Sequence, residues 1–165
     1  MSPDSDAAGF RVGLGFDVHP FSDDPGRRLV LGGVTLPGER GLAGHSDADP
    51  VSHAVADGLL GAAGLGDLGT RFPDTDPAWA GVYSLRLLAA VVEAVRADGW
   101  APGNVDCAVV LEAPRLAPHV PRMQATLSEV VGGPVSVKPK RAEGLGALGR
   151  GEGVACWAVV LLQRR

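Results

Sequence analysis

The twenty residues from His45 to Gly64, HSDADPVSHAVADGLLGAAG, carry the best-marked helix of the chain. Asp49 is a residue type that accepts hydrogen bonds from the free amides of a helix start, Pro50 suits the first helical position, and Val51, Val55, Leu59 and Ala62 recur at helical spacing. A helix is therefore predicted over Pro50 to Ala63. Before it, Arg11 to Val18 (RVGLGFDV) reads as a glycine-bearing strand, and Leu29 to Leu36 (LVLGGVTL) as short strands broken at Gly32 and Gly33. After it, residues 64–81 (GLGDLGTRFPDTDPAWAG) are too rich in Gly, Pro and Asp to hold a regular element, and a connection of that length is usually functional or mobile. Ser84 is expected to cap a second helix with Leu85, Leu88, Val92 and Val95 on one stripe and Gly99 at its end. Asn104 to Leu111 reads as a strand, Pro121 to Val131 as a third helix, Val135 to Lys138 as a strand, and Gly153 to Leu162 as a buried strand. This order predicts an α/β (α+β) fold, a single-domain sandwich of a mixed four- to five-stranded sheet with helices on one face.

A chain of 165 residues suits one ordinary domain, expected over residues 10–165 behind a flexible leader at 1–9. Its 24 glycines and 13 prolines imply many tight turns and close backbone approaches. The net charge of −4 provides no basic field to gather phosphate backbones, which argues against nucleic acid as a partner. No apolar run approaches the ~20 residues that span a bilayer. The start MSPDSDAAG lacks the basic and apolar regions of a signal peptide, so a cytoplasmic protein without a membrane partner is expected. Cys107 and Cys156 fall in predicted strands without C-x-x-C spacing and are expected to be buried reduced thiols.

Several groups of residues could carry chemistry. Alternate residues of a strand share a face, so Asp17 and His19 can reach one ion; the same triplet also fits a histidine hydrogen-bonded near a strand end. His53, in the first turn of the predicted helix, supplies a third ligand. Asp57, at i+4, is expected to accept the hydrogen of the other ring nitrogen; alternatively, His53 is a helix histidine paired with Asp57. An Asp, His, His set suits zinc, and three protein ligands leave one position open for catalysis. Phe72, Pro73, Asp74, Thr75 and Asp76 offer carboxylates and a hydroxyl to a polyol, or form a plain turn. In Gly144 to Gly153 (GLGALGRGEG), the glycine-rich backbone can approach a phosphate or another subunit. Glu143 is a free carboxylate for a harder cation such as Mg²⁺. Lys138, Lys140 and Arg141 precede it as a short basic run, which also reads as a solvated face.

Taken together, GFDVHPF, AGHSDADPVSHAVADGLLGAAGLGDLG, RFPDTDPAW, NVDCAVV, APRLAPHVPRM and EGLGALGRGEG resemble the 2-C-methyl-D-erythritol 2,4-cyclodiphosphate synthase family of non-mevalonate isoprenoid biosynthesis. The resemblance implies a homotrimer with sheets facing inward and active sites between subunits. It implies a phosphorus–oxygen lyase that cyclises 4-diphosphocytidyl-2-C-methyl-D-erythritol 2-phosphate with release of CMP. Asp17, His19 and His53 would hold one Zn²⁺ per subunit, and Glu143 would help hold Mg²⁺ or Mn²⁺ on the substrate diphosphate. His45 and Ser46 match the turn beside the phosphate, with His45, Arg141 and Glu143 as catalytic candidates. Asp57, Asp67, Leu68, Gly69, and Phe72 to Asp76 match segments that meet the substrate. Leu111, Glu112, Ala113, Pro114, Arg115, Leu116 and Ala117 align with the neighbouring subunit's cytosine-reading segment. Phe16, Arg150 and Glu152 align with residues around a central trimer channel that takes an isoprenoid diphosphate.

The chain departs from the family pattern where three threonines usually precede the glutamate and a large apolar residue follows it. Here stand Lys140, Arg141, Ala142 and, four positions after the glutamate, Ala147. Arg141 replaces the threonine taken to steady the diphosphate, a task that a guanidinium can perform through charge-assisted hydrogen bonds. Glu112 stands where a neutral glutamine is common. Two other readings keep the same residues: a non-catalytic trimer that binds an isoprenoid diphosphate through Arg141 and Arg150, and a zinc phosphodiesterase that activates water.

Overall fold

A computed structural model describes residues 9–73 and 81–165; the rest of the expected leader and the candidates Asp74, Thr75 and Asp76 lie outside the described residues. The elements are β1 (Phe10–Pro20), β2 (Leu29–Leu31), β3 (Val34–Leu36), α1 (Pro50–Ala63), α2 (Leu68–Arg71), α3 (Ser84–Ala97), β4 (Trp100–Val110), α4 (Val120–Val131), β5 (Val135–Lys140), α5 (Gly146–Gly149) and β6 (Gly153–Arg164). The main sheet has the order β1-β6-β4-β5, antiparallel except for the parallel pair β4 and β5, while β2 and β3 form a separate hairpin. The mixed four-stranded α+β sandwich is as expected. Helix α1 packs on β1 and β6, α3 lies beside α1, and α4 packs on β5.

Period-2 alternation gives the sheet two unlike faces. Val105, Cys107 and Val109 of β4 and Val154, Cys156, Ala158, Val160 and Leu162 of β6 are buried under the helices. Both cysteines are free and buried, as expected. Their mutual hydrogen bond, then burial, pushes the Cys156 thiol up. The opposite face leaves Phe10, Val12, Leu14, Phe16, Val18, Trp157 and Val159 exposed at 39–69%.

Glycine sets how closely α1 lies on β1. A Cβ at Gly15 would sit 1.8 Å from the Ala54 carbonyl oxygen, and one at Gly13 would sit 2.0 Å from that of Gly58. The start of α1 is tied as closely. Asp49, fully buried, accepts from Val51 N and Ser52 N at the helix start and from Gly32 N and Gly33 N of the β2–β3 turn, at 2.7–3.2 Å. Burial pushes the Asp49 carboxyl up, while the Ser52 hydroxyl and the two glycine amides work against that rise.

Three local expectations are corrected. Residues 64–81 do hold a regular element, the short helix α2, because the Asp67 side chain accepts from Thr70 N at 2.7 Å and from the Thr70 hydroxyl at 2.9 Å. Tyr83, not Ser84, is the cap residue of α3 and makes no side-chain cap bond; Ser84 is the first helical residue and its hydroxyl turns elsewhere. The glycine-rich stretch closes on itself as α5, with the amides of Gly149, Arg150, Gly151 and Glu152 donating to Leu145, Gly146, Leu148 and Ala147. Those four amides are therefore committed within the loop.

Candidate active site

The neighbouring ends of β1 and α1 open into a cavity of about 550 Å³ lined by Phe16, Asp17, His19, His45, Ser46, His53, Asp57, Leu68, Gly69, Phe72, Pro73 and Leu87. Strand alternation puts Asp17 and His19 on the helix-facing side of β1, and the glycine contacts bring the first turn of α1 to them. Asp17 Oδ2 lies 2.9 Å from His19 Nε2 and 2.9 Å from His53 Nδ1, and the two nitrogens are 3.4 Å apart. Atoms held about 2.0–2.2 Å from a tetrahedral zinc ion stand roughly 3.3 Å or slightly more from one another, so a small expansion of the two distances to Asp17 is all that separates this triad from a zinc cage.

The donor chemistry fits as well. His19 turns its other nitrogen, Nδ1, to the Ala43 carbonyl oxygen at 2.8 Å, which makes Nε2 the nitrogen that faces the cluster. Burial opposes ionisation of Asp17, but hydrogen bonds from His19 and His53, with the charge on both rings, hold its carboxyl well below the usual carboxylate range. Burial likewise opposes a charged His19 ring, yet the hydrogen bond and charge of Asp17 raise it above the ordinary histidine value. A carboxylate pressed between two imidazoles at these distances is the arrangement of a cation site in which protons take the cation's place.

The expected partner of His53 is corrected. Its Nε2 meets Ser84 Oγ at 2.8 Å and Ser46 Oγ at 3.3 Å, while Asp57 Oδ1 accepts from Leu68 N at 3.2 Å. Both ring nitrogens are thus engaged elsewhere, and Asp57 ties α1 to α2. Ser84 and its acceptor Asp47 are residues that the sequence reading missed: a serine at a helix start reads as a cap, and 37 positions separate the two.

The remaining candidates divide into two groups. Asp67 caps α2 at the edge of the cleft and is held ionised by the Thr70 amide and hydroxyl. Leu111, Glu112, Pro114, Arg115, Leu116, Ala117, Lys140 and Arg141, with Pro139, line a second cavity of about 220 Å³. Ala142 is tied to one of these residues, its amide donating to Glu112 Oε1 at 2.8 Å. Glu143 and Ala147 are exposed beyond it. Within one chain, Lys140, Arg141 and Glu143 do not line the cavity of Asp17, His19 and His53. Arg150 pairs with Glu152 at 2.6 Å, and Phe16 stacks on Trp157 with ring centres 4.9 Å apart.

The model of the YgbB family matches residues 10–163. The chain belongs to the YgbB family. Among its relatives, the 2-C-methyl-D-erythritol 2,4-cyclodiphosphate synthase of Bordetella pertussis is 53% identical over 158 residues, covering 94% of this chain and 96% of the relative. The synthase of Halalkalibacterium halodurans is 50% identical over 155 residues, covering 92% and 98%. A CDP-bound form of 2C-methyl-D-erythritol-2,4-cyclodiphosphate synthase superposes with a TM-score of 0.84 at 38% identity, covering 93% of this chain and all of that one. A CDP complex of IspF from Plasmodium falciparum gives 0.82 at 30% identity, covering 95% and 97%. Among the described residues of this YgbB member, no helix is long and apolar enough to cross a membrane.

Proposed function

We propose that this chain is a 2-C-methyl-D-erythritol 2,4-cyclodiphosphate synthase of isoprenoid biosynthesis. It would convert 4-diphosphocytidyl-2-C-methyl-D-erythritol 2-phosphate to the cyclic diphosphate and CMP. The observation that carries the reading is the Asp17, His19 and His53 triad at the floor of a cleft, in a chain that matches CDP-bound synthases over nearly its whole length. Relatives named as synthases at this identity do not favour the non-catalytic reading.

An oxygen of the substrate's 2-phosphate forms a bond to the β-phosphorus while the β-phosphorus to bridging-oxygen bond breaks, and CMP leaves with that electron pair. No protein nucleophile is required. The protein's work is to fold a multiply charged molecule into that attack geometry. When bound, zinc on the triad supplies positive charge to a substrate phosphate, and Mg²⁺ or Mn²⁺ at Glu143 does the same for the diphosphate, since Mg²⁺ is commonly held by one carboxylate together with substrate phosphates. His45 and Ser46 border the phosphate. Leu68, Phe72, Pro73 and Leu87 form an apolar wall that keeps water from competing as the nucleophile. Lys140 and Arg141 stand beside the base-reading segment Leu111 to Ala117, where their charge serves the diphosphate.

The two cavities are complementary: one has metal ligands and no base-reading wall, the other the reverse. A homotrimer that presses the exposed apolar sheet faces together would bring the two half-sites of neighbouring subunits into one. In that assembly the Arg150 and Glu152 pair borders the axial channel, the place for an isoprenoid diphosphate.

The test is incubation with the cytidyl substrate and Mg²⁺, followed by phosphorus NMR. Stoichiometric CMP and cyclic diphosphate are expected; a linear hydrolysis product would instead make the protein a phosphodiesterase.

A further inference from the structure

We propose that Ser84 and Asp47 act as positioning residues that fix which nitrogen of His53 keeps its hydrogen and which is left for a metal, and thereby set the affinity of the triad for zinc. The inference rests on the reading of Asp17, His19 and His53 as a zinc site. It concerns residues that the site itself does not include.

The argument is one of counting hydrogens. Ser84 Oγ lies between Asp47 Oδ1, to which it is hydrogen-bonded, and His53 Nε2 at 2.8 Å. A carboxylate accepts only, so the single hydrogen of the Ser84 hydroxyl goes to Asp47. Toward His53, the same oxygen can then only accept. Nε2 must therefore keep its hydrogen, so the hydrogen that a metal displaces is the one between Nδ1 and Asp17 Oδ2, 2.9 Å apart, and Nδ1 is the nitrogen whose lone pair turns to the ion. Loss of the Nε2 hydrogen instead would keep the Nδ1 hydrogen in the cage and leave Nε2 facing, at its shorter contact, a Ser84 hydroxyl with none to give, with Ser46 Oγ farther off at 3.3 Å.

The surroundings hold this direction in place. Ser84 is 1% exposed and Ser46 8% exposed, which limits the water available to replace either hydroxyl. Ser84 N also donates to Asp47 Oδ1 at 3.1 Å, Asp47 N donates to the Val82 carbonyl, and Gly81 N donates to that of His45 at 2.9 Å. The turn at 45–47 and the start of α3 are thus laced together behind the ring. The second histidine has a different arrangement. His19 has its outer nitrogen on a main-chain carbonyl, Ala43 O at 2.8 Å, which a side-chain substitution does not remove. His53 alone of the two depends on side chains for its tautomer.

Two measurements test the relay. Long-range proton–nitrogen NMR of the metal-free wild type should find His53 Nε2 protonated; a bare Nε2 overturns the proposal, whether or not the protein binds zinc. Competition with a chromophoric chelator then gives zinc affinity for Ser84→Ala, Ser84→Thr and Asp47→Asn. Ser84→Ala is expected to weaken zinc by about 10- to 100-fold. Ser84→Thr, which keeps the hydroxyl, should restore affinity to within about threefold of wild type. Asp47→Asn, of equal size, should weaken binding about tenfold, because the amide oxygen that the Ser84 N–H keeps in place holds the hydroxyl hydrogen less firmly than a carboxylate does and frees it to turn to Nε2. A general packing role would spare the isosteric Asp47→Asn variant, so wild-type zinc affinity in both Ser84→Ala and Asp47→Asn refutes the relay. Absence of zinc binding in the wild type overturns the metal reading, and the tautomer measurement then decides the relay by itself.

Discussion

Replacement of Gly15 by alanine should weaken zinc binding although Gly15 touches no ligand. Its Cβ would stand 1.8 Å from Ala54 O and 2.6 Å from Gly58 N. Both are main-chain atoms of α1, so no rotamer change relieves the overlap. Contacts of a real Cβ do not fall below 3.0 Å, so the helix must lift from β1 by about 1.2 Å at Ala54. Residue 53, next to the contact, carries the third ligand, while the other two ride on β1. Metal sites tolerate departures of about 0.2 Å in ligand distance, several times less than this displacement. We therefore expect zinc affinity to fall at least about 100-fold, or about 2.8 kcal/mol. The stability of the metal-free protein should fall by about 1–3 kcal/mol, the range for an overpacked core. Chelator competition reads the first quantity and urea denaturation the second. Gly61→Ala is the control: on the same helix its Cβ meets nothing within 4 Å, and it should raise stability by about 0.5–1 kcal/mol with zinc affinity unchanged. Wild-type zinc affinity in a folded Gly15→Ala protein would refute the claim that backbone contact sets the geometry of the site.

Asp49→Ala removes the acceptor shared by two buried helix-start amides and the Gly32 and Gly33 amides, and should cost about 3–5 kcal/mol in urea denaturation, the scale of breaking a buried charged network. In the metal-free protein, Asp17 is depressed, so its contribution is present above the ordinary carboxylate value and lost as pH falls through its low folded value. His19 is raised, so its contribution is full below the ordinary ring value and lost as pH rises through the raised one. Metal-free stability should therefore peak between these limits, while zinc affinity climbs with pH as the protons leave; urea midpoints and chelator titrations across pH check both. Arg141→Ala should lower kcat/KM about 10- to 100-fold in steady-state assays, the loss of one charge-assisted contact, and Arg141→Thr should recover only part. Light scattering should give a trimer mass, and an active monomer would contradict a site shared between chains.

What could be read ahead of the structure was what is encoded locally. Asp49 followed by Pro50 marks a helix start within two residues, and α1 begins and ends where the pattern placed it. Asp17 and His19 share a face by strand alternation alone. Features that depend on distant pairing did not show. Ser84 looked like a cap because serine favours that position, and only the fold brings Asp47 and His53 to it. Asp57 seemed suited to His53 by helical spacing, but the Leu68 amide, 11 residues on, claims it. Helices α2 and α5 have four residues each, too few for any periodicity to register. Arg141 could be placed beside Leu111 to Ala117 only once β4 and β5 were known to run parallel as neighbours.

Strand β1 has glycines and the two cluster residues Asp17 and His19 at its odd positions from Gly13 to His19, and apolar residues at its even positions from Phe10 to Val18, on the open face. Over the generations of a lineage, these two sets are free to change by substitution separately, since each projects to its own side. They are not free to change in number. Loss or gain of one residue upstream within the strand would turn Asp17 and His19 outward and drive Phe16 and Val18 into the space where only glycine clears α1. The strand can thus be edited in letter but not in length, except in steps of two, and descendants should vary its apolar letters while preserving the count from Gly13 to His19.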